Sequence, residues 1–295
     1  MNHLSDLPLE ILINVTYFLS TKDILNLSSC SKYLHDLLYV VKINIKVEYD
    51  KISGLSYFDS FTNVAYNRSV NTFPKSLKVL YWYCKENLLY LLPDSLQSLY
   101  LGDCYNQPFQ QLPDSLQSLH LGNCYNQPLL QLPDSLTSLY LGYWYNQPLP
   151  QLPNSLQNLH LGDCYNQLLP GRVFDHNGVT IMGEPQLPGS LKSLYLGYEY
   201  NKPLPQLPNS LQSLHLGYCY NQPLPQLSDP LKNLHLGSNY NQLLPQLPDS
   251  LTSLHLGYCY NQLLPQLPDS LKYLKVWRKF RFPTLPSHVV VKFFD

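Results

Sequence analysis

PDSLQSLHLGNCYNQPLLQL occupies residues 113–132, and PDSLTSLYLGYWYNQPLPQL follows directly at 133–152. A unit that recurs every 20 residues is the signature of a stacked array, in which each copy buries its apolar face against the next. Units start at Pro74, Pro93, Pro113, Pro133, Pro153, Pro188, Pro208, Ser228, Pro248 and Pro268, with a partial one at Pro286. Leu119 and Leu121 flank His120, so a short strand here turns both leucines inward and the histidine outward. Proline at every second or third position of the return segment excludes a helix, because it lacks the N–H and clashes with the preceding turn. An extended, polyproline-like back is what remains. Parallel stacking at ~4.8 Å makes eleven such rungs a solenoid of roughly 50 Å. Each glycine of the Leu-Gly pair reads as a residue that permits the turn at the strand end.

The middle of the unit, as in Leu116-x-x-Leu119-x-Leu121-x-x-Cys124, is the leucine-rich-repeat pattern. With the Tyr-Asn-x-Pro tetrad that follows, the array resembles FNIP repeats, named for Phe-Asn-Ile-Pro and embedded in L-P-x-S-L-x-x-L-x-L-G. Tyr stands in place of Phe at 105, 125, 145, 165, 200, 220, 240 and 260. Proline is kept at 108, 128, 148, 203 and 223 and is Leu at 168, 243 and 263. The resemblance covers residues 74–295. One irregularity, 171–185, adds 15 residues between two units. Within it, Asn177-Gly178 between Val173-Phe174 and Val179/Ile181 reads as a hairpin turn, on an arm that either touches a target or decorates one face.

Residues 1–40 carry a different period. Ile11, Leu12, Val15, Phe18 and Leu19 fall on one helical face, Pro8 suits a first turn, and Ser20 with Asp23 resembles a capping box opening a second helix. KYLHDLLYV continues as a third. Three short helices cannot bury much apolar surface alone, so part of it awaits a partner. Leu7-Pro8, Glu10-Ile11-Leu12, Leu19, Asp23-Ile24, Leu27 and Ser31-Lys32 resemble the F-box over about residues 4–40. That resemblance implies a helical module docking onto a Skp-type adaptor of cullin-RING ubiquitin ligases through Leu7, Pro8, Glu10, Ile11, Leu12, Leu19, Asp23, Ile24 and Leu27. The alternative is a helical cap for the array. In 41–73, Val41, Ile43, Ile45, Val47 and Tyr49 alternate as a half-buried strand, a first, atypical rung; the remainder carries no assignable unit.

Charged residues make up only 13% and the formal net charge is −1, which argues against a general polyanion binder. Residues 74–270 hold seven basic and twelve acidic side chains, whereas the last 25 hold six and one. The tail reads as a closing, altered rung, with Val289, Val291 and Phe293 alternating, rather than as a nucleic-acid or membrane site. No apolar run approaches the ~20 residues of a membrane span, and the N-terminus lacks a secretory signal's basic and apolar regions. Five of the seven cysteines share one repeat position, a structural column rather than a disulfide framework, in keeping with a reducing, intracellular setting.

The outward strand position reads Tyr81, Tyr100, His120, Tyr140, His160, Tyr195, His215, His235, His255 and Lys275, with Ser or Asn beside it. A variable site after the glycine carries Tyr143, Tyr198, Tyr218 and Tyr258 among others. Tyrosine is favoured at interfaces, so Tyr100, His120, Tyr140, His160, Tyr195, His215, His235, His255, Tyr143, Tyr198, Tyr218 and Tyr258 are the expected target-binding face; the competing reading is stacking that stabilises the sheet. The repeated Ser, His and Asp single out no nucleophile with one base, so no catalytic residue, cofactor or metal is expected. The fold expected is a small all-α F-box-like module (1–40), a linker and capping rung (41–73), and a leucine-rich-repeat-like solenoid (74–295) with a parallel sheet, an insertion at 171–185 and a cap from about 271. The resemblances together imply a non-enzymatic substrate-recognition adaptor of a Skp-cullin-F-box ligase holding an unidentified protein target. They imply a cytoplasmic location, with the nucleus left open, or the host cytoplasm if the chain is viral. The alternative is a freestanding interaction scaffold.

Overall fold

A computed structural model describes residues 8–16, 19–28, 32–68, 72–85, 92–108, 111–171, 186–277 and 289–294. Four helices open the chain: α1 (Leu9–Thr16), α2 (Thr21–Ser28), α3 (Lys32–His35) and α4 (Leu37–Val40). The third expected helix is thus two, parted by a turn at Asp36. Ser20 caps α2 as the sequence predicts: its Oγ accepts the Asp23 N–H at 3.2 Å and donates to the Asp23 carboxylate at 2.5 Å.

Thirteen strands then form one all-parallel sheet in sequence order. They are β1 (Val47–Glu48), β2 (Asn63–Tyr66), β3 (Val79–Trp82), β4 (Ser98–Leu101), β5 (Ser118–His120), β6 (Ser138–Tyr140), β7 (Asn158–His160), β8 (Ser193–Tyr195), β9 (Ser213–His215), β10 (Asn233–His235), β11 (Ser253–His255), β12 (Tyr273–Trp277) and β13 (Val290–Phe294). Neighbouring rungs keep the repeat register, as in Ser118↔Ser138, Leu119↔Leu139 and His120↔Tyr140. Between β1 and β2 lie a one-turn helix α5 (Tyr49–Ile52) and a 3-10 turn (Phe58–Ser60), and among the described residues no helix follows them.

From β4 to β11 each rung is a three- or four-residue strand between two tight turns. The Leu116 N–H closes the first on the Pro113 carbonyl at 3.0 Å, and the Tyr125 N–H closes the second on Gly122 at 3.0 Å. Side chains tie rung to rung outside the strands. Ser115 Oγ donates to the Leu96 carbonyl at 2.6 Å, and most repeats copy this bond. In the unit beginning at Ser228, serine and proline have traded places; Ser228 Oγ still reaches the Leu211 carbonyl, at 3.2 Å. On the far corner Asn106 Oδ1 accepts the Asn126 N–H at 2.9 Å, and each later asparagine through Asn261 repeats the bond. These ladders satisfy backbone groups that the short strands leave unpaired.

The core is a set of parallel columns. Leu116, Leu119, Leu121 and their equivalents are buried, and so is the tyrosine column from Tyr105 to Tyr260. The cysteine column does not join this core: Cys104, Cys124 and Cys259 are exposed, and Cys164 and Cys219 partly so. The next residue, tyrosine, takes the interior corner. Phenol hydroxyls of Tyr145, Tyr165, Tyr200, Tyr220 and Tyr240 are buried, each facing the backbone of a leucine one rung earlier without regular hydrogen-bond geometry.

Glycine's role differs from the expected one. None of the Leu-Gly glycines has positive φ; among the described residues only Gly171 does, at 141°. A Cβ on Gly142 would instead stand 1.9 Å from the Gly122 carbonyl oxygen, and its equivalents at later rungs meet the same obstacle at 1.7–1.9 Å. Close approach of one rung's backbone to the next excludes every side chain there. Where equivalent rings on the strand face stack they lie 3.9–4.6 Å apart, as in His235–His255 and Tyr81–Tyr100. Those of the interior tyrosines lie 6.1–6.2 Å apart. The rungs therefore fan outward, and the solenoid curves with its strand face on the inner side.

At the N-terminal end the alternation of 41–49 is realised in burial, with Val41 and Ile43 inside and Lys42 and Asn44 exposed. Only Val47–Glu48 joins the sheet as a strand, with an isolated bridge from Ile43 to Phe61. β2, with Tyr66 fully buried, is a rung that no leucine announces. Tyr66 packs between Tyr49 at 4.8 Å and Trp82 at 5.8 Å, closing the core with aromatic bulk. Leu12, Ile24, Leu34 and Leu38 join this core. At the other end β13 pairs with β12, Leu274 opposite Val291, as the expected closing strand. The Asn177-Gly178 hairpin lies outside the described residues, yet the ladders cross the insertion intact, with Asn166 accepting the Asn201 N–H at 3.1 Å.

Two substitutions test this account. Gly142→Ala should lower stability by about 3 kcal/mol, the upper range for forced overpacking, while Gly54→Ala, with open space around it, leaves the urea midpoint nearly unchanged. Tyr200→Phe should be neutral or raise stability by about 1 kcal/mol, since it removes a poorly satisfied buried hydroxyl; a thermal melt reads both signs.

Candidate functional site

The outward position of each strand builds one continuous stack of rings. Centroids are 4.6 Å apart for Tyr81–Tyr100, 4.2 for Tyr100–His120, 4.1 for His120–Tyr140, 4.4 for Tyr140–His160, 3.9 for His160–Tyr195 and 4.2 for Tyr195–His215. His215 and His235 then meet edge-on at 5.5 Å, and His235–His255 stack again at 3.9 Å. The cause is register: parallel strands in steps of one repeat put equivalent Cβ atoms one above the other, at the spacing aromatic rings favour. Each ring is half-buried between its neighbours and shows an edge to solvent. The stacking reading of the column is met: the rings tie rung to rung along the sheet, with their edges on the concave side.

A lysine stands at each end. Lys46 Nζ lies 3.7 Å from the centre of the Tyr81 ring and donates to the Tyr83 hydroxyl at 2.9 Å. Lys275 pairs in the ladder with His255. Sequence reasoning missed Lys46; its only signal there is an exposed place in the alternation of 41–49. Small polar groups flank the stack, with Ser118 Oγ 2.9 Å from His120 Nε2, and with Asn158 and Asn233 donating to Ser138 and Ser213 at 3.1 Å.

The four rim tyrosines are exposed. Tyr143 packs edge-on to Trp144 at 4.8 Å, Tyr198 stacks on Tyr218 at 4.6 Å, and Tyr258 lies 4.4 Å from Trp277. Trp144 and Trp277, absent from the predicted face, occur at positions that hold other residue types in other repeats, which is why the pattern hid them.

Burial between rings governs the acid–base chemistry. It pushes the histidines down from 6.5, to about 4 for His120 and His235 and about 3 for His255, with neighbouring imidazoles adding to the effect. His160 and His215 shift the same way for the same leading cause. Neutral imidazoles stack without mutual repulsion, and one that resists protonation this strongly makes a poor general base. The face is therefore uncharged between its terminal lysines and offers aromatic edges with hydroxyl and amide groups.

The second group of predicted residues lies on the helices. Leu7 and the side chain of Glu10 fall outside the described residues. Leu12 and Ile24 are buried, and Leu19 and Leu27 pack partly against the core. Pro8 and Asp23 are exposed. Ile11 and Val15 do not share the burial of Leu12: they remain 46% and 38% exposed.

Two protein-family models match this chain. The F-box domain covers residues 4–46, and the FNIP Repeat matches seven overlapping segments that together span 90–171 and 184–276. The chain belongs to the FNIP-repeat proteins and carries an N-terminal F-box domain. Among solved structures it is similar to CroV588, described as a novel circular LRR protein structure, at 31% identity and a TM-score of 0.67 over 80% of this chain. It is similar in fold to YopM from Yersinia enterocolitica WA-314, at 24% identity and a TM-score of 0.51, again over 80% of this chain. It spans 37% of the CroV588 chain and 55% of YopM. A search of the curated proteins finds no match. F-box and repeat architecture of this kind is typical of non-catalytic adaptors, and among the described residues no helix is long and apolar enough to cross a membrane.

The depressed histidine values fix the sign of a pH dependence. An unfolded histidine takes its proton near pH 6.5, whereas in the stack it stays neutral to about pH 4 or below. Between these limits the unfolded state binds more protons, so stability is complete above pH 6.5 and is lost as the pH falls through the folded values. Urea midpoints should therefore drop between pH 6.5 and about 5, where carboxylates are still largely ionised. Replacing His215, His235 and His255 by Phe should flatten that drop.

Proposed function

We propose that this protein is a substrate-recognition adaptor of a Skp-cullin-F-box ubiquitin ligase. Residues 1–40 dock a Skp-type adaptor, 41–73 close the N-terminal end of the array, and the solenoid of 74–295, with its extended proline-rich back, holds a protein target on the ring face. The chain itself performs no catalysis and works inside the cell. The carrying observation is the pair of apolar side chains, Ile11 and Val15, left exposed on α1 of a matched F-box domain while Leu12, Ile24, Leu34 and Leu38 are in the core. Exposed apolar groups on an otherwise packed helix are what a partner helix covers. The ring face supplies the other half of an adaptor: aromatic area with polar groups at its edges, on rigid strands.

A freestanding scaffold is the second reading, and one observation favours it. The helices share a continuous core with the first rungs, and Tyr39 donates to Ser56 at 2.6 Å while His35 packs edge-on to Tyr57 at 5.4 Å. They cap the array whatever else they do. For that reason deleting them uncovers the first rung, and point variants separate the readings better.

Full-length protein with Ile11→Asp and Val15→Asp should lose at least about tenfold in affinity for a purified Skp-type adaptor, as expected for apolar anchors of an interface, with its melting temperature kept. Unchanged adaptor binding, or none by the parent chain, favours the scaffold. Replacing Tyr140, His160, Tyr195 and His215 by Ala should leave adaptor binding intact and abolish target capture.

A further inference from the structure

Five of the seven cysteines occupy one corner of the repeat, between the rim residue and the buried tyrosine. These five, Cys104, Cys124, Cys164, Cys219 and Cys259, form no disulfide. Backbone bonds stack this corner rung on rung: the Cys124 N–H donates to the Asp103 carbonyl at 2.8 Å, and Trp144, Cys164, Glu199, Cys219, Asn239 and Cys259 copy the bond. Side chains of adjacent rungs meet there, as Cys259 Sγ shows by lying 4.0 Å from Asn239 Oδ1. Reading along the column gives Cys104, Cys124, Trp144, Cys164, Glu199, Cys219, Asn239 and Cys259. Two cysteines are neighbours at one place among these, Cys104 and Cys124, and both are exposed.

The spacing decides what such a pair can do. Equivalent rings one residue before this corner lie 4.6 Å apart on Tyr198 and Tyr218, and those one residue after it lie 6.2 Å apart on Tyr105 and Tyr125. A disulfide needs a sulfur–sulfur bond of about 2.05 Å and a Cβ separation of about 3.8 Å. Rungs rise by about 4.8 Å, within the Cα separations that a disulfide spans, so an oxidised pair competes with metal and the metal site belongs to the reduced chain. One metal ion with metal–sulfur bonds of about 2.3 Å spans up to about 4.6 Å between sulfurs, close to the rise of about 4.8 Å from one rung to the next. Two soft sulfur ligands suit the copper(I) class of ion.

We propose that Cys104 and Cys124 form a two-thiolate site for a soft monovalent transition-metal ion of the copper(I) type. Binding forms two metal–sulfur bonds, releases two thiol protons and changes no oxidation state. The remaining cysteines of the column lack a partner thiol: Cys164 lies between Trp144 and Glu199, and Cys219 between Glu199 and Asn239.

Titration of the reduced full-length chain with copper(I) without oxygen, against a chromogenic copper(I) chelator, tests the site. One ion per chain should be retained. Cys104→Ser and Cys124→Ser should each weaken retention by about a hundredfold or more, the loss expected when a second tethered ligand is removed. Cys164→Ser and Cys219→Ser should retain the ion as the parent chain does, and all four variants should melt with it, since exposed thiols give way to isosteric hydroxyls. Retention that survives Cys104→Ser or Cys124→Ser overturns the site, as does failure of the parent chain to compete.

Discussion

One backbone contact sets the terms for the whole array. Where each strand ends, the carbonyl of one glycine sits where the next glycine's Cβ would be. Rungs that approach so closely must follow the same path, because any deviation brings main chain into main chain. Repetition of sequence is the way a chain meets that demand. Once the paths coincide, every side chain finds its own kind one rung away, and the ladders follow: serine to leucine carbonyl, asparagine to asparagine amide, tyrosine on tyrosine. The contact lies near the strands and not at the tyrosine corner, so the rungs fan, and the curvature comes from where the tightest contact is placed.

Much of this is legible in the letters. The 20-residue period specifies the rungs, Leu119 and Leu121 specify which side is in, and the prolines of the return path explain why no helix forms there. Three things were hidden, each for a physical reason. The glycines were expected to serve the turn, since a sequence shows which residue lacks a Cβ but not what would collide with one. The cysteine column was read as structural, and the letters do not show that the neighbouring tyrosine, which carries more apolar surface, takes the interior corner while cysteine faces out. The rung at Asn63–Tyr66 fills its interior with Val64 and Tyr66, and leucine spacing cannot find a rung that has none.

The candidate site was legible as a column and illegible as a stack. Alternation of Tyr and His between buried leucines shows that these residues face outward together. It does not show that planes align to within 7–25° along most of the column, or that lysines stand at both ends. Those depend on rotamers and on the rise per rung, which only the three-dimensional register supplies. The helical module shows the same limit: the period predicts an apolar face, and only packing shows that Leu12 is spent on the core while Ile11 and Val15 are not.

Stacking and recognition are often set against each other as explanations of a surface aromatic. On the proposed reading of this face they support one another. A ring held on both sides loses its rotational freedom before any partner arrives, which lowers the entropic cost of binding to its edge. Burial by its neighbours also keeps each imidazole neutral, so the face presents hydrogen-bonding edges without the hydration that a charge would hold. A partner meeting this face therefore displaces little tightly bound water and orders few side chains. What can differ between partners is the set of rim residues, which changes from Asp103 to Asn123 to Tyr143 while the stack behind it stays the same. On that reading, a pre-ordered stack with a variable rim would separate the part that gives affinity from the part that gives choice.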